Sequence, residues 1–157
     1  MTGPNRDKIA GVVLAGGLSR RMGGVDKALT PLGGKAMIAH VLDRLAAQVD
    51  TIAINANGDE SRFDWLGVPV IRDVVSGYAG PLAGIHAALC WARENRSVTH
   101  VVTAAADTPF FPPDIVSRLR QDLSGPDTIA VARSQGGLHP VFALWPVHLA
   151  GDLETWL

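Results

Sequence analysis

Ile9–Lys27 reads IAGVVLAGGLSRRMGGVDK, and the fold is decided by how this stretch is read. Its first six residues, Ile9-Ala10-Gly11-Val12-Val13-Leu14, are apolar and partly β-branched. Such a short run predicts a strand covered on both faces, as in a parallel sheet. The strand opens into Ala15-Gly16-Gly17, where no large side chain shields the backbone. Two glycines permit positive φ and let amide N–H groups converge on a ligand. Arg20, Arg21 and Lys27 follow, separated by Gly23-Gly24 and Asp26. A strand that ends in a glycine-rich cationic loop is suited to phosphates; the bland alternative is a surface loop that happens to carry charges.

The familiar phosphate motifs do not account for this loop. A P-loop needs G-x-x-x-x-G-K followed by Ser or Thr. Here Gly33-Gly34-Lys35 is followed by Ala36 and preceded by no strand. The dinucleotide fingerprint G-x-G-x-x-G is absent as well, because Gly16-Gly17 leads into Leu18-Ser19.

Working outward, apolar positions at Met37, Ile38, Val41, Leu42, Leu45 and Ala46 have helical spacing and predict a helix over Ala36–Gln48. Strands are expected at Asp50–Asn55, Val68–Ile71, Thr99–Ala105, Thr128–Ala132 and Val141–Leu144, and helices at Leu82–Glu94, from Pro112 to Asp122, and from Trp145 onward. Thr30–Lys35 reads as a turn. Strands that alternate with helices predict an α/β fold of three layers: a mostly parallel twisted sheet with helices on both faces. In open sheets of this type the ligand sits beyond the carboxyl ends of the strands. The predicted strand ends here carry Gly16 and Gly17, Asn55, Asp73 and Asp107.

The 157 residues fit one domain able to bury roughly two-thirds of its unfolded surface. With 47% hydrophobic and 18% charged residues the chain is globular, and a net charge of −1 argues against nucleic acid as a partner. One cysteine, Cys90, excludes a disulfide framework and a cysteine-based zinc site. The single cysteine fits a cytoplasmic compartment, no apolar run is long enough to span a membrane, and a monomer is expected.

Asp107 follows the apolar run Val101–Ala106 and precedes Thr108-Pro109. A hard carboxylate there suits Mg²⁺, which takes one or two carboxylates and keeps several waters; a turn cap is the alternative. Lys27 offers a point charge for a phosphate. The amide of Asn55 can read a base or ribose, and the Asp73 carboxylate can accept from paired donors such as guanine N1–H and its exocyclic amine. An Asx turn and a surface salt bridge are the respective alternatives. Gly80-Pro81-Leu82-Ala83-Gly84-Ile85 lets a helix N-terminus approach a ligand closely. His40, His86, His100 and His148 show no ligand spacing, and Ser19 has no nucleophile setting.

Leu14–Lys27 resembles the signature L-A-G-G-x-S-x-R-M-G-x-x-K of the molybdenum-cofactor guanylyltransferase family, with one residue added before the lysine. Asp107-Thr108-Pro109-Phe110 resembles its D-T-P-F motif, Gly80–Gly84 its G-P-L-A-G, and His139–Leu144 its H-P-x-x-A-L. The resemblance runs from Ile9 to Trp145 and implies a Rossmann-like nucleotidyltransferase fold. It implies transfer of GMP from GTP to the terminal phosphate of molybdopterin, with release of pyrophosphate and Mg²⁺ as cofactor. The implied catalytic residues are Lys27, Asp107 and Arg21, with Asp107 as metal ligand. GTP would be bound by Leu14, Ala15, Gly16, Gly17, Lys27, Asn55, Asp73, Gly80, Gly84 and Asp107. His139 would lie on the pterin side, or else in a turn before its strand. Gly17 after Gly16 leans towards guanine, because the sibling cytidylyltransferases read L-A-A-G. A molybdoenzyme or cofactor chaperone is the implied partner. Family members run further, to an N-T-P-x-D segment, so residues 1–157 are expected to be a single nucleotidyltransferase domain lacking its C-terminal end. A related enzyme using CTP or a sugar phosphate, or a non-catalytic GTP-binding delivery module, are the rival readings.

Overall fold

The computed structural model describes residues 7–16, 26–77 and 80–157. Its centre is a six-stranded sheet, and the order in space differs from the order in the chain. Strand β1 is Lys8–Leu14, β4 is Thr51–Asn55, β5 is Val70–Ile71, β6 is Val98–Ala105, β7 is Ala130–Ser134 and β8 is Gly137–Pro146. The spatial order is β5-β4-β1-β6-β8-β7. Strand β1 is parallel to β4 and β6, and β4 is parallel to β5. Strand β8 runs antiparallel to both β6 and β7. The expected α/β architecture with a mostly parallel sheet is what forms; the antiparallel edge is a refinement of it.

That edge has a local cause. Strands β7 and β8 pair from Ser134 opposite Gly137, leaving Gln135-Gly136 as a two-residue loop with Gly137 at φ 113°. A loop that short can only return the chain antiparallel. Strand β8 therefore begins four residues before the expected Val141, and His139 lies inside it, opposite Ala132, rather than in a preceding turn. Its Nε2 is 2.6 Å from the Ser134 hydroxyl. The segment expected as a turn at residues 30–35 contains a small hairpin, β2 (Pro31–Leu32) against β3 (Lys35–Ala36).

Among the described residues four helices cover the sheet: α1 (Met37–Ala46), α2 (Pro81–Arg93), α3 (Ile115–Gln121) and α4 (Ala150–Trp156). Neighbouring residues of one strand point to opposite faces, and two cores result. Ile9 and Val13 of β1 join Ile38, Val41, Leu42 and Leu45 of α1 and Ile115, Val116 and Leu119 of α3. Ala10 and Val12 of the same strand join Ile85, Ala88, Leu89 and Ala92 of α2 and Ala150 of α4. Each fully buried Val, Leu or Ile side chain contributes about 1.5–3 kcal/mol relative to exposure. Gly11 carries the α1 contact: a Cβ there would lie 3.1 Å from both Leu45 Cδ2 and Val49 Cγ2.

Candidate active site

The sheet register gathers the predicted residues at one rim. Leu14 pairs with Asn55 on one side and with Ala105 on the other, and Asn55 pairs with Ile71. The pairing continues one step past the strands: Ala15 N–H donates to Asn55 O at 2.8 Å and Ala106 N–H donates to Leu14 O at 3.1 Å. Gly16, Asp73 and Asp107 therefore leave the sheet side by side. Strand order also reverses here, since the chain passes from β1 to β4 and β5 on one side and to β6 on the other. Such a reversal splays the loops on the two sides apart and opens a crevice at the carboxyl ends of the strands.

The crevice is a cleft of about 380 Å³, lined by Leu14, Ala15, Gly16, Lys27, Asn55, Asp73, Gly80, Gly84 and Asp107 together with Asp26, Ala28, Pro81, Ala105, Ala106 and Val141. Its size is in the usual range for small-ligand sites. Of the site residues expected from sequence, Gly17 and Arg21 lie outside the described residues. All the others except His139 share this cleft. His139 is exposed on β8 and does not line it.

Each wall has a reason in local structure. Asp26 caps the short 3₁₀ turn Lys27–Leu29, its Oδ1 accepting the Ala28 N–H at 3.0 Å. The cap sets the direction of the segment from which Lys27 extends. Gly16 does not use the positive φ that a glycine permits. A Cβ at Gly16 would lie in ordinary contact, 3.5 Å from Asn55 Oδ1, so the glycine leaves that part of the cleft wall open without being sterically required. Helix α2 starts with Pro81 at its first position, after Gly80.

Asn55 and Asp73 are neither an Asx turn nor a surface ion pair; they bond to each other. Asn55 is 2% exposed, and its Nδ2 donates to Asp73 Oδ1 at 2.9 Å and to Ile71 O at 3.3 Å. Asn57 Nδ2 donates to Asp73 Oδ2 at 2.8 Å, and Asp73 N–H donates back to Asn57 Oδ1 at 3.0 Å. Each carboxylate oxygen thus accepts one amide N–H and keeps capacity for a second donor. Both amide hydrogens of Asn55 are used within the protein, so its Oδ1 is what it offers to the cleft. Asn57 was not singled out from sequence, although its position two residues past Asn55 at the same strand end was the available signal.

Asp107 is exposed, and its Oδ1 accepts the Thr108 hydroxyl at 3.2 Å. Among the described residues no group of three or more His, Cys, Asp or Glu could hold a metal. A single carboxylate at the mouth of a nucleotide-sized cleft fits an ion shared with phosphate oxygens and water, which is how Mg²⁺ is commonly bound.

A three-layer α/β domain with a cleft at the reversal of strand order, walled by a lysine turn, a fixed carboxylate and a second, exposed carboxylate, defines the class: an NTP-binding enzyme domain. The chain belongs to the MobA-like NTP transferase domain family of nucleotidyltransferases, whose model matches residues 11–157. It is 54% identical over 152 residues to a molybdenum cofactor guanylyltransferase of Rhizobium leguminosarum bv. trifolii, covering 97% of this chain and 70% of the relative. It is 50% identical over 153 residues to one of Mesorhizobium japonicum, covering 97% and 74%. Its fold is similar to that of molybdopterin-guanine dinucleotide biosynthesis protein A of Archaeoglobus fulgidus, with a TM-score of 0.67 and 29% identity, covering 93% of this chain and 71% of that one. A Mycobacterium tuberculosis protein solved in complex with manganese matches with a TM-score of 0.68 and 27% identity, covering 93% and 74%. No helix among the described residues is long and apolar enough to cross a membrane.

Proposed function

We propose that this chain transfers GMP from GTP to the terminal phosphate of molybdopterin and releases pyrophosphate. The relatives named above support this reading, and one observation of the site carries it. Asp73 holds its two carboxylate oxygens in a fixed orientation beside a cleft that Lys27 and Asp107 also line. A carboxylate with one free acceptor site on each oxygen matches the paired N1–H and amino donors of guanine, an edge that neither cytosine nor adenine presents.

In this reading the molybdopterin phosphate oxygen attacks the α-phosphorus in line. A new P–O bond forms, the α–β bridging P–O bond breaks, and the electron pair leaves on pyrophosphate. Positioning and charge neutralisation do the work, and no nucleophile from the protein is needed. Lys27 lies against the α-phosphate and offsets charge that builds in the transition state. Backbone N–H groups of Gly16 and Gly17 and the Arg21 guanidinium hold the remaining phosphates, Leu14 and Ala15 contact the nucleotide through backbone and apolar surface, and Gly80 and Gly84 let α2 close on the nucleotide. Asp107 would hold Mg²⁺, which when bound supplies positive charge to the triphosphate oxygens. Residues 1–157 belong to a single nucleotidyltransferase domain without its C-terminal end, in a cytoplasmic monomer that passes its product to a molybdoenzyme or cofactor chaperone.

The test is pyrophosphate release in the presence of GTP, Mg²⁺ and molybdopterin, alongside calorimetric titration with GTP, CTP and ATP. Release that depends on all three components, with GTP binding tightest, is the expected result. Tighter CTP binding would end the guanine assignment. GTP binding without pyrophosphate release would leave a delivery module rather than a transferase.

A further inference from the structure

We propose that Arg62 is a positioning residue that ties the turn carrying Lys27 to the segment carrying Asp73, so that the two are ordered together. Arg62 lies in the 3₁₀ segment Glu60–Leu66, between β4 and β5, far in sequence from the glycine loop. Its Nε donates to Asp26 Oδ2 at 3.0 Å. Its Nη1 and Nη2 each donate to Asn57 O at 3.2 Å, and Nη1 also donates to Asp59 O. All three nitrogens of the fork are engaged. The guanidinium also lies 4.5 Å from the ring centroid of Phe63, which is fully buried.

The two residues that Arg62 holds each act on the cleft. Asp26 caps the Lys27 turn through its other oxygen, and Asn57 binds Asp73 through both its amide nitrogen and its amide oxygen. A continuous set of bonds therefore runs from Ala28 N–H through Asp26, Arg62 and Asn57 to Asp73. An exposed ion pair would count for little. Here the Arg62 and Asp26 side chains are only 20% and 25% exposed, and the pair adds two backbone carbonyls and an aromatic face. Lysine cannot replace this arrangement, because it has one nitrogen where arginine has a planar fork. The consequence for nucleotide binding rests on the proposed function; the linkage itself does not.

Two variants and two readouts test it. Asp26→Asn keeps a good cap residue and nearly the same volume while removing the charge that anchors Arg62. Arg62→Lys keeps the charge and removes the fork. Amide hydrogen exchange should then quicken at Asp73 in Asp26→Asn, although Asp26 does not bond to Asp73, and at both Ala28 and Asp73 in Arg62→Lys. Exchange at Val13 and Val102 in the sheet should stay as in the wild type. Unchanged exchange at Asp73 in both variants overturns the linkage. Titrated with Mg-GTP, Arg62→Lys should lose about tenfold in affinity, the scale of one charge-assisted hydrogen bond. That loss should shrink in a Lys27→Ala background, because part of it acts through Lys27. Equal losses in both backgrounds overturn positioning through Lys27. Wild-type protein that binds no GTP overturns the proposed function instead, and the exchange result still decides the linkage.

Discussion

Gly84 of α2 stands so close to Asn55 at the end of β4 that a Cβ on Gly84 would lie 2.3 Å from Asn55 Oδ1. The same Cβ would be 3.2 Å from Leu14 Cδ2. Asn55 cannot swing away, since its Nδ2 is held by Asp73 and by the Ile71 carbonyl. The glycine is thus what allows helix and strand to meet over the cleft. Gly84→Ala should destabilise the protein by about 1–3 kcal/mol, the usual cost of overpacking. Because Asn55 orients Asp73, the variant should also bind GTP more weakly. Urea unfolding and calorimetry check the two effects, and a variant with unchanged stability would mean that the close approach relaxes without cost.

Asp107 and Lys27 are both exposed, and neither belongs to the two cores. Asp107→Ala and Lys27→Ala should each change stability by no more than about 0.5 kcal/mol, as surface substitutions do. Pyrophosphate release should fall by about a hundredfold or more, the scale of losing one transition-state charge contact. An Asp107→Ala enzyme with normal turnover would remove the metal assignment.

Asp73→Asn preserves shape but turns one acceptor oxygen into a donor group facing the amide of either Asn55 or Asn57. The preference for GTP over ATP should drop by about tenfold or more, since a hydrogen bond to a charged group is lost and donors oppose donors. Inosine triphosphate, which lacks the exocyclic amine, should lose less than GTP does. Competitive titration of the three nucleotides reads this directly. A variant with undiminished GTP preference would show that guanine is read elsewhere.

His100 sets an acid limit on stability. Burial pushes its imidazole below the usual value, outweighing the pull of Asp7 in the other direction. In the folded state it therefore takes up its proton at a lower pH than in the unfolded chain. Between those two values the unfolded state holds more protons. The stabilisation is complete above the unfolded value of about 6.5 and is lost as pH falls from there through the lowered folded value. Melting temperatures should decline over this window in wild type and decline less in His100→Gln. Parallel declines would assign the acid limit to other groups.

Much of the site could be read in the chain because a parallel sheet puts every strand's carboxyl end at one rim. Locating the strands was then enough to bring Leu14, Asn55, Asp73 and Asp107 together, although they are up to 93 positions apart in sequence. Helix α1 was equally legible, since Ile38, Val41, Leu42 and Leu45 repeat at the helical period and are all buried. The antiparallel edge was less so. Periodicity reports which face of a strand is covered, but not which way the strand runs. The clue lay in Gln135-Gly136-Gly137, a loop short enough to force a hairpin.

The amino-acid sequence by itself determined the alternation of strands and helices, the rim where a ligand belongs, and the residue types gathered there. Those follow from local pattern and from the geometry common to all parallel sheets. Only the tertiary structure decided how those residues are held: that Asn55 serves Asp73, that Asn57 completes its grip, and that Arg62 reaches Asp26 across 36 positions. Hydrogen bonds between side chains depend on distances of a few tenths of an ångström. Such distances are set by the packing of distant segments, which no local pattern in the chain encodes.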